Sequence, residues 1–146
     1  KLMVIGGNLL VKTLDGILDN SIKRIKQPDD YTIAPMLNKE MTKIDFNKKG
    51  REIFNFVRGL SPFPGTYMTT IGGDIFKVYE VSYTLDNDSY RSYKNGEVVY
   101  ISKDKLNIKC SDGIISILKI QPQNSKRMSI QAFLAGNKIN LGEIFS

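Results

Sequence analysis

Lys126 and Arg127 are the residues most suited to hold a ligand, because they stand immediately before a segment that reads as a short terminal helix. Free amides and the helix dipole at such a start favour an anion, so a phosphate could be held by the pair and the backbone together. On the residues alone, the pair could equally flank a turn. Lys39 and Lys43 are four residues apart and share a face if their segment is helical, although Lys43 could instead pair with Glu40. Arg58, near the end of a helical pattern, could compensate the dipole there.

Other chemistries find less support. The chain has no histidine, the side chain most used for proton transfer near neutral pH. Cys110 is the single cysteine and alternates with Leu106 and Ile108, which makes it a core residue, not a nucleophile or disulfide partner. No Cys/His cluster has zinc-ligand spacing, and no pair of carboxylates recurs as an acid–base dyad. Asp112-Gly113 is the chemistry of a hairpin turn. Tyr79, Tyr83 and Tyr100 fall within strand patterns and read as half-buried sheet residues, whereas Tyr90 and Tyr93, beside Arg91 in a polar stretch, are better placed to stack on bases.

The elements that must position these groups follow from periodicity. Leu2, Ile5, Leu9, Leu10, Leu14, Ile17 and Leu18 recur at three- and four-residue intervals, which predicts a helix from Lys1 to about Asp19, with Asn20 ending it. Gly6-Gly7 within it implies close packing or a break. Residues 21–43 lack strong periodicity, contain two prolines and read as an extended linker with one short helical turn. Asn47 is a plausible N-cap for a helix whose stripe is Phe46, Gly50, Ile53, Val57 and Leu60, with Gly59 suited to a left-handed end. Pro62 and Pro64 then force the chain to leave the helix stiffly.

Beyond Gly65 the pattern changes to strands. Residues 67–71 and 75–83 flank Gly72-Gly73-Asp74, a hairpin turn. Residues 84–94, including Asp86 and Asp88, form a loop, and Asn95-Gly96 restarts the sheet. Residues 98–101, 106–110 and 114–120 supply three more strands, and Ser129 could cap a last helix through Leu134, with Gly136 ending it. The fold class is therefore mainly β with flanking helices: five short strands forming a small, partly open barrel, preceded by a helix and an extended linker.

Composition sets the outer bounds. With 41% apolar and 25% charged residues the chain is an ordinary globular protein with enough length for a real core. No apolar run approaches the ~20 residues that span a bilayer, and a soluble, cytoplasmic protein is the default expectation. The net charge of +6 divides into +1 over residues 1–45 and +5 over residues 46–146, so the excess lies on the strand-rich body. Such a field suits a polyanion without specifying one.

Ile44-Asp45-Phe46, Arg58-Gly-Leu-Ser-Pro-Phe-Pro-Gly65, Asp112-Gly113, Leu118-Lys-Ile-Gln-Pro122, Lys126-Arg127-Met128 and Phe133-Leu134 with Gly136 occur in an order that resembles the C-terminal part of the methionyl-tRNA formyltransferase family. No one of these motifs is unique; their order over about two thirds of the chain makes the signal specific. Phe46 and Phe63 stand where the family usually has Trp, and both keep a large apolar ring.

The resemblance implies an oligonucleotide-binding-like (OB-like) barrel over residues 45–146, a linker over 21–44, and in residues 1–20 the terminal helix of a catalytic domain. That domain would lie upstream and carry the family's catalytic Asn, His and Asp. It also implies transfer of a formyl group from 10-formyltetrahydrofolate to the methionine of initiator Met-tRNA. The folate would sit on the upstream domain, with no catalytic residue and no metal here. Lys1 is not an initiator Met, and a chain opening inside an amphipathic pattern reads as a fragment. Lys39, Lys43, Lys48, Arg58, Lys126 and Arg127 become the expected RNA contacts. Two alternatives remain: the matching domain of another folate-dependent formyltransferase, acting on a sugar nucleotide or on folate, and an interaction module that does not bind RNA.

Overall fold

In the computed structural model, which describes residues 1–86 and 89–146, the chain divides into two compact units, Lys1–Pro35 and Met36–Ser146. The first consists of helix α1 (Leu2–Leu18) and an irregular segment. Asn20 adopts a left-handed φ of 60°, and Ile22 folds back to donate its amide to the Gly16 carbonyl. The Gly6-Gly7 pair neither breaks α1 nor marks a close approach, since a Cβ at either position would meet nothing within 4 Å. Helical hydrogen bonding thus outweighs the ~1 kcal/mol propensity cost of each glycine.

The second unit begins with a single 3-10 turn, Glu40–Thr42, and then helix α2 (Gly50–Leu60). The expected stripe is realised over most of its length: Phe46, ahead of α2, and Gly50, Ile53 and Val57 within it are buried, while Leu60 is only half-buried. The caps differ. Asn47 is held upstream by Asp45, whose Oδ1 accepts from its backbone amide at 3.0 Å and its side-chain amide at 3.1 Å. Lys49 is the N-cap, and its amide donates to Glu52 Oε2 at 3.1 Å. Gly59 stays inside α2; the left-handed residue is Gly65, φ 81°, whose amide donates to the Leu60 carbonyl. The intervening Ser61–Pro62 and Phe63–Pro64 peptides are both cis.

Strands β1 (Thr66–Thr69), β2 (Ile75–Leu85), β3 (Val98–Ile101), β4 (Leu106–Cys110), β5 (Gly113–Pro122) and β6 (Met128–Ser129) form one antiparallel sheet in the order β1-β2-β5-β4-β3, with β6 on β5. The two-residue β6 adds a sixth strand to the five expected; it is too short to show alternation. Helix α3 (Ile130–Gly136) follows, with Ser129 Oγ accepting from the Ala132 amide at 3.2 Å. The loop expected over residues 84–94 begins later, because β2 runs to Leu85, and Asp88 lies outside the described residues.

One side of the curled sheet is filled by Met68, Val78, Val98, Leu106, Ile108, Ile115 and Ile117, all but sealed from solvent. Cys110 joins them as expected, and burial pushes its thiol pKa up, which keeps it protonated and unreactive. The two edge strands are joined through the C-terminal tail. Thr69 and Ser146 exchange backbone hydrogen bonds at 2.8 Å, while the Val98 amide donates to Glu143 and the Phe145 amide to Gly96. Gly96 has a φ of 87° and lies against the Phe145 carbonyl, so this turn needs a residue without a side chain. The Phe145 ring is buried and meets Phe76 edge-on at 6.0 Å.

The β4–β5 turn also holds the start of α2. Asp112 Oδ1 accepts the Gly50 amide at 2.7 Å, so a turn residue 62 positions away satisfies a free amide of the helix. Asp112→Ala is expected to lower stability by about 1 kcal/mol, in the range of a lost N-terminal cap, and Asp112→Asn to restore most of it. Urea unfolding midpoints check this; an Ala variant as stable as the parent would remove the capping role.

Candidate nucleic-acid interface

The outer face of β1, β2 and β5 groups aromatic and cationic side chains, as α2 does where Arg51 and Arg58 lie over Tyr83 and Phe54. Antiparallel pairing sets Tyr67 opposite Lys77 and Lys77 opposite Gln121, so the three stand in a row across the strands. Two residues along β2 from Lys77, Tyr79 projects to the same side, next to a register shift between Val78 and Glu80.

Both tyrosines are covered by cations. The Arg127 guanidinium lies 3.5 Å from the centroid of the Tyr79 ring, and Lys39 Nζ 5.9 Å from that of Tyr67. Tyr79 donates its hydroxyl hydrogen to Gln121 Oε1 at 2.7 Å, and Gln121 Nε2 donates to the Ser125 carbonyl at 2.8 Å. This chain fixes the 121–127 turn, and Arg127 with it, against the sheet. It also explains why Tyr79 is only 8% exposed, more buried than a half-buried strand residue.

A groove of about 300 Å³ runs along this face between Lys39, Lys77, Tyr67 and the Phe63-Pro64 turn, and a second of about 230 Å³ continues past Lys39 and Lys77 to Gln123 and Asn124. Among the described residues lining them there is no carboxylate. The positive field of Lys39 and Lys77 is therefore not cancelled within the grooves.

The other expected contacts are distributed differently. Lys43 and Lys48 line one groove of about 250 Å³ beneath α2, but Asp45 and Glu52 line it too, so its cations and carboxylates balance. Lys43 Nζ lies 3.4 Å from Ser146 Oγ, within donating distance. Lys39 and Lys43 do not share a helix face, because the 3-10 turn is one turn long and Lys43 is already extended. Arg58 sits in the last turn of α2 over the Phe54 ring, at 5.8 Å.

Lys126 and Arg127 are exposed and precede β6 and α3. The seven-residue α3 has its cap closed by Ser129, and the Arg127 guanidinium is turned onto Tyr79, not toward the helix start. Of the aromatics, Tyr90 and Tyr93 have centroids 5.9 Å apart and ring planes tilted by 53°. Lys77 and its neighbour Tyr67 were missed by sequence reasoning. The signal available was the alternation of Lys77 with Tyr79, but only strand pairing shows that Tyr67 and Gln121 extend the row.

The family described as "Formyl transferase, C-terminal domain" matches residues 36–138, which include every strand and both helices of the second unit. The chain belongs to this family. Methionyl-tRNA formyltransferases from Lactococcus lactis subsp. lactis and Clostridium tetani are 38% and 37% identical to it over 99% of the chain. Those alignments span 46% of each relative, so the chain corresponds to under half the length of the proteins it resembles.

Among solved structures, HypX from Aquifex aeolicus superposes with a TM-score of 0.56 at 17% identity, covering 90% of this chain and 24% of HypX. HypX in complex with tetrahydrofolic acid gives 0.52 at 15% identity, with 91% and 25% covered. These likenesses show that the formyl transferase C-terminal fold is shared. Among the described residues, no helix is long and apolar enough to cross a membrane.

Proposed function

We propose that this chain is the RNA-binding portion of a methionyl-tRNA formyltransferase, whose whole protein transfers a formyl group from 10-formyltetrahydrofolate to the methionine of initiator Met-tRNA in the cytoplasm. The observation that carries this reading is the 38% identity to the Lactococcus enzyme over 99% of the chain. In it, residues 1–20 are the last helix of an upstream catalytic domain, residues 21–44 the linker, and residues 45–146 the OB-like domain. The cationic face of β1, β2 and β5 supplies a physical role that does not require a catalytic residue.

A pterin presents an amino-pyrimidine edge that a carboxylate would satisfy, and among the described residues none lines these two grooves. In this reading the folate sits on the upstream domain. This chain's own groups act on the RNA. Lys39, Lys77, Lys126 and Arg127 attract backbone phosphates, Lys43 and Lys48 add contacts tempered by the neighbouring Asp45 and Glu52, and Arg58 adds one from the last turn of α2. Holding the polynucleotide in this way makes the encounter of its acceptor end with an upstream active site effectively unimolecular.

Titration with initiator tRNA transcript at several salt concentrations tests the reading. The logarithm of the association constant is expected to fall linearly with log salt, by up to ~0.9 for each phosphate neutralised. Lys126→Ala/Arg127→Ala is expected to weaken binding and flatten that slope. Binding insensitive to salt, or unchanged in the double variant, would overturn it.

A further inference from the structure

Phe63 stands apart from every other aromatic ring of the second unit. It is 88% exposed, whereas Phe46, Phe133 and Phe145 are buried and Phe54, Phe56 and Phe76 pack against the core. Leaving a phenyl ring in water is unfavourable relative to burying it, and here the ring lies between Pro62 and Pro64. Each proline fixes its own φ and restricts the residue before it, so the turn has few conformations in which to hide the ring. The ring also lines the groove that contains Lys39 and Lys77, with Asn38 and Tyr67 beside them. An apolar plane held in solvent next to two uncancelled cations matches the two parts of a nucleotide, the base face and the phosphate.

We infer that Phe63 is a stacking platform for an unpaired base of the bound RNA, with Lys39 and Lys77 taking the adjoining phosphates. The inference rests on the RNA-binding reading and goes beyond it: electrostatic attraction alone would accept duplex and single strand alike, whereas a ring in this groove requires a base free of its stack. Its partner class is therefore single-stranded or terminal nucleotides, not the paired stem. Restriction of the Phe63 backbone by the flanking prolines before binding reduces the ordering cost on complex formation.

The chain contains no tryptophan, so Phe63→Trp introduces one fluorophore at the site while keeping a large flat ring. A short single-stranded RNA oligonucleotide is expected to quench that tryptophan, and the same oligonucleotide carrying abasic sugars to leave it unquenched. Phe63→Ala is expected to lower affinity for the ordinary oligonucleotide about tenfold, a typical loss for one stacked base, without changing the salt slope. Equal quenching by the abasic strand would overturn the inference, as would salt-dependent binding that Phe63→Ala leaves intact; the RNA-binding reading survives both. Failure of the parent chain to bind any RNA would end both proposals.

Discussion

Phe145→Ala should lower the unfolding free energy by about 4 kcal/mol, the usual cost of emptying a buried phenylalanine site. At ~4–8 °C per kcal/mol for a domain near this size, the midpoint of thermal unfolding should fall by roughly 20 °C. The ring fills the space beside Phe76, which also meets Phe133 at 5.6 Å, so truncation leaves a hole beside the two remaining rings. Two further effects add to the cavity. The Phe145 amide joins the tail to Gly96, and the adjoining Ser146 pairs with Thr69, so loosening the ring releases backbone bonds at both open edges of the sheet. Phe63→Ala supplies the control, because that ring is exposed and its loss should leave the midpoint within a degree or two. A Phe145→Ala midpoint within about 5 °C of the parent's would show that the tail does not hold the two sheet edges in solution.

Charge reversal in the groove should have the largest effect on binding. Lys39→Glu/Lys77→Glu is expected to reduce affinity for tRNA at least tenfold at low salt and to lower the slope of log K against log salt by about 1.8, two contacts at ~0.9 each. The same change in net charge can be made at Lys103→Glu/Lys105→Glu, exposed in the turn between β3 and β4. If binding answers only to the overall field, the two pairs should be equivalent. If the β1–β2–β5 face is the docking surface, the first pair should dominate. Equal losses would remove the groove from the proposal while leaving a basic protein that attracts RNA.

The number of lysines in a sequence does not say which of them share a groove with carboxylates. Lys43 and Lys48 looked as available as Lys39, yet the fold sets them beside Asp45 and Glu52, where desolvating a phosphate would also bring it near two carboxylates. Lys77 carried no motif of its own. It became a candidate only because β1 and β5 pair on either side of β2 and place Tyr67 and Gln121 level with it.

Elements under the control of local physics are legible in the chain alone. Apolar spacing gave α1 and α2; β-branched runs broken by Gly72-Gly73, Asn95-Gly96 and Asp112-Gly113 gave the five main strands; and the ordered motifs gave the family. Each of these signals depends on residues near one another in the chain. Tertiary structure alone decided the capping of Gly50 by Asp112, the turning of Arg127 onto Tyr79, the joining of the sheet edges by Phe145 and Ser146, and the groove under Phe63 that no carboxylate lines among the described residues. Those contacts join residues tens of positions apart, and no periodicity or composition encodes which distant partner will arrive.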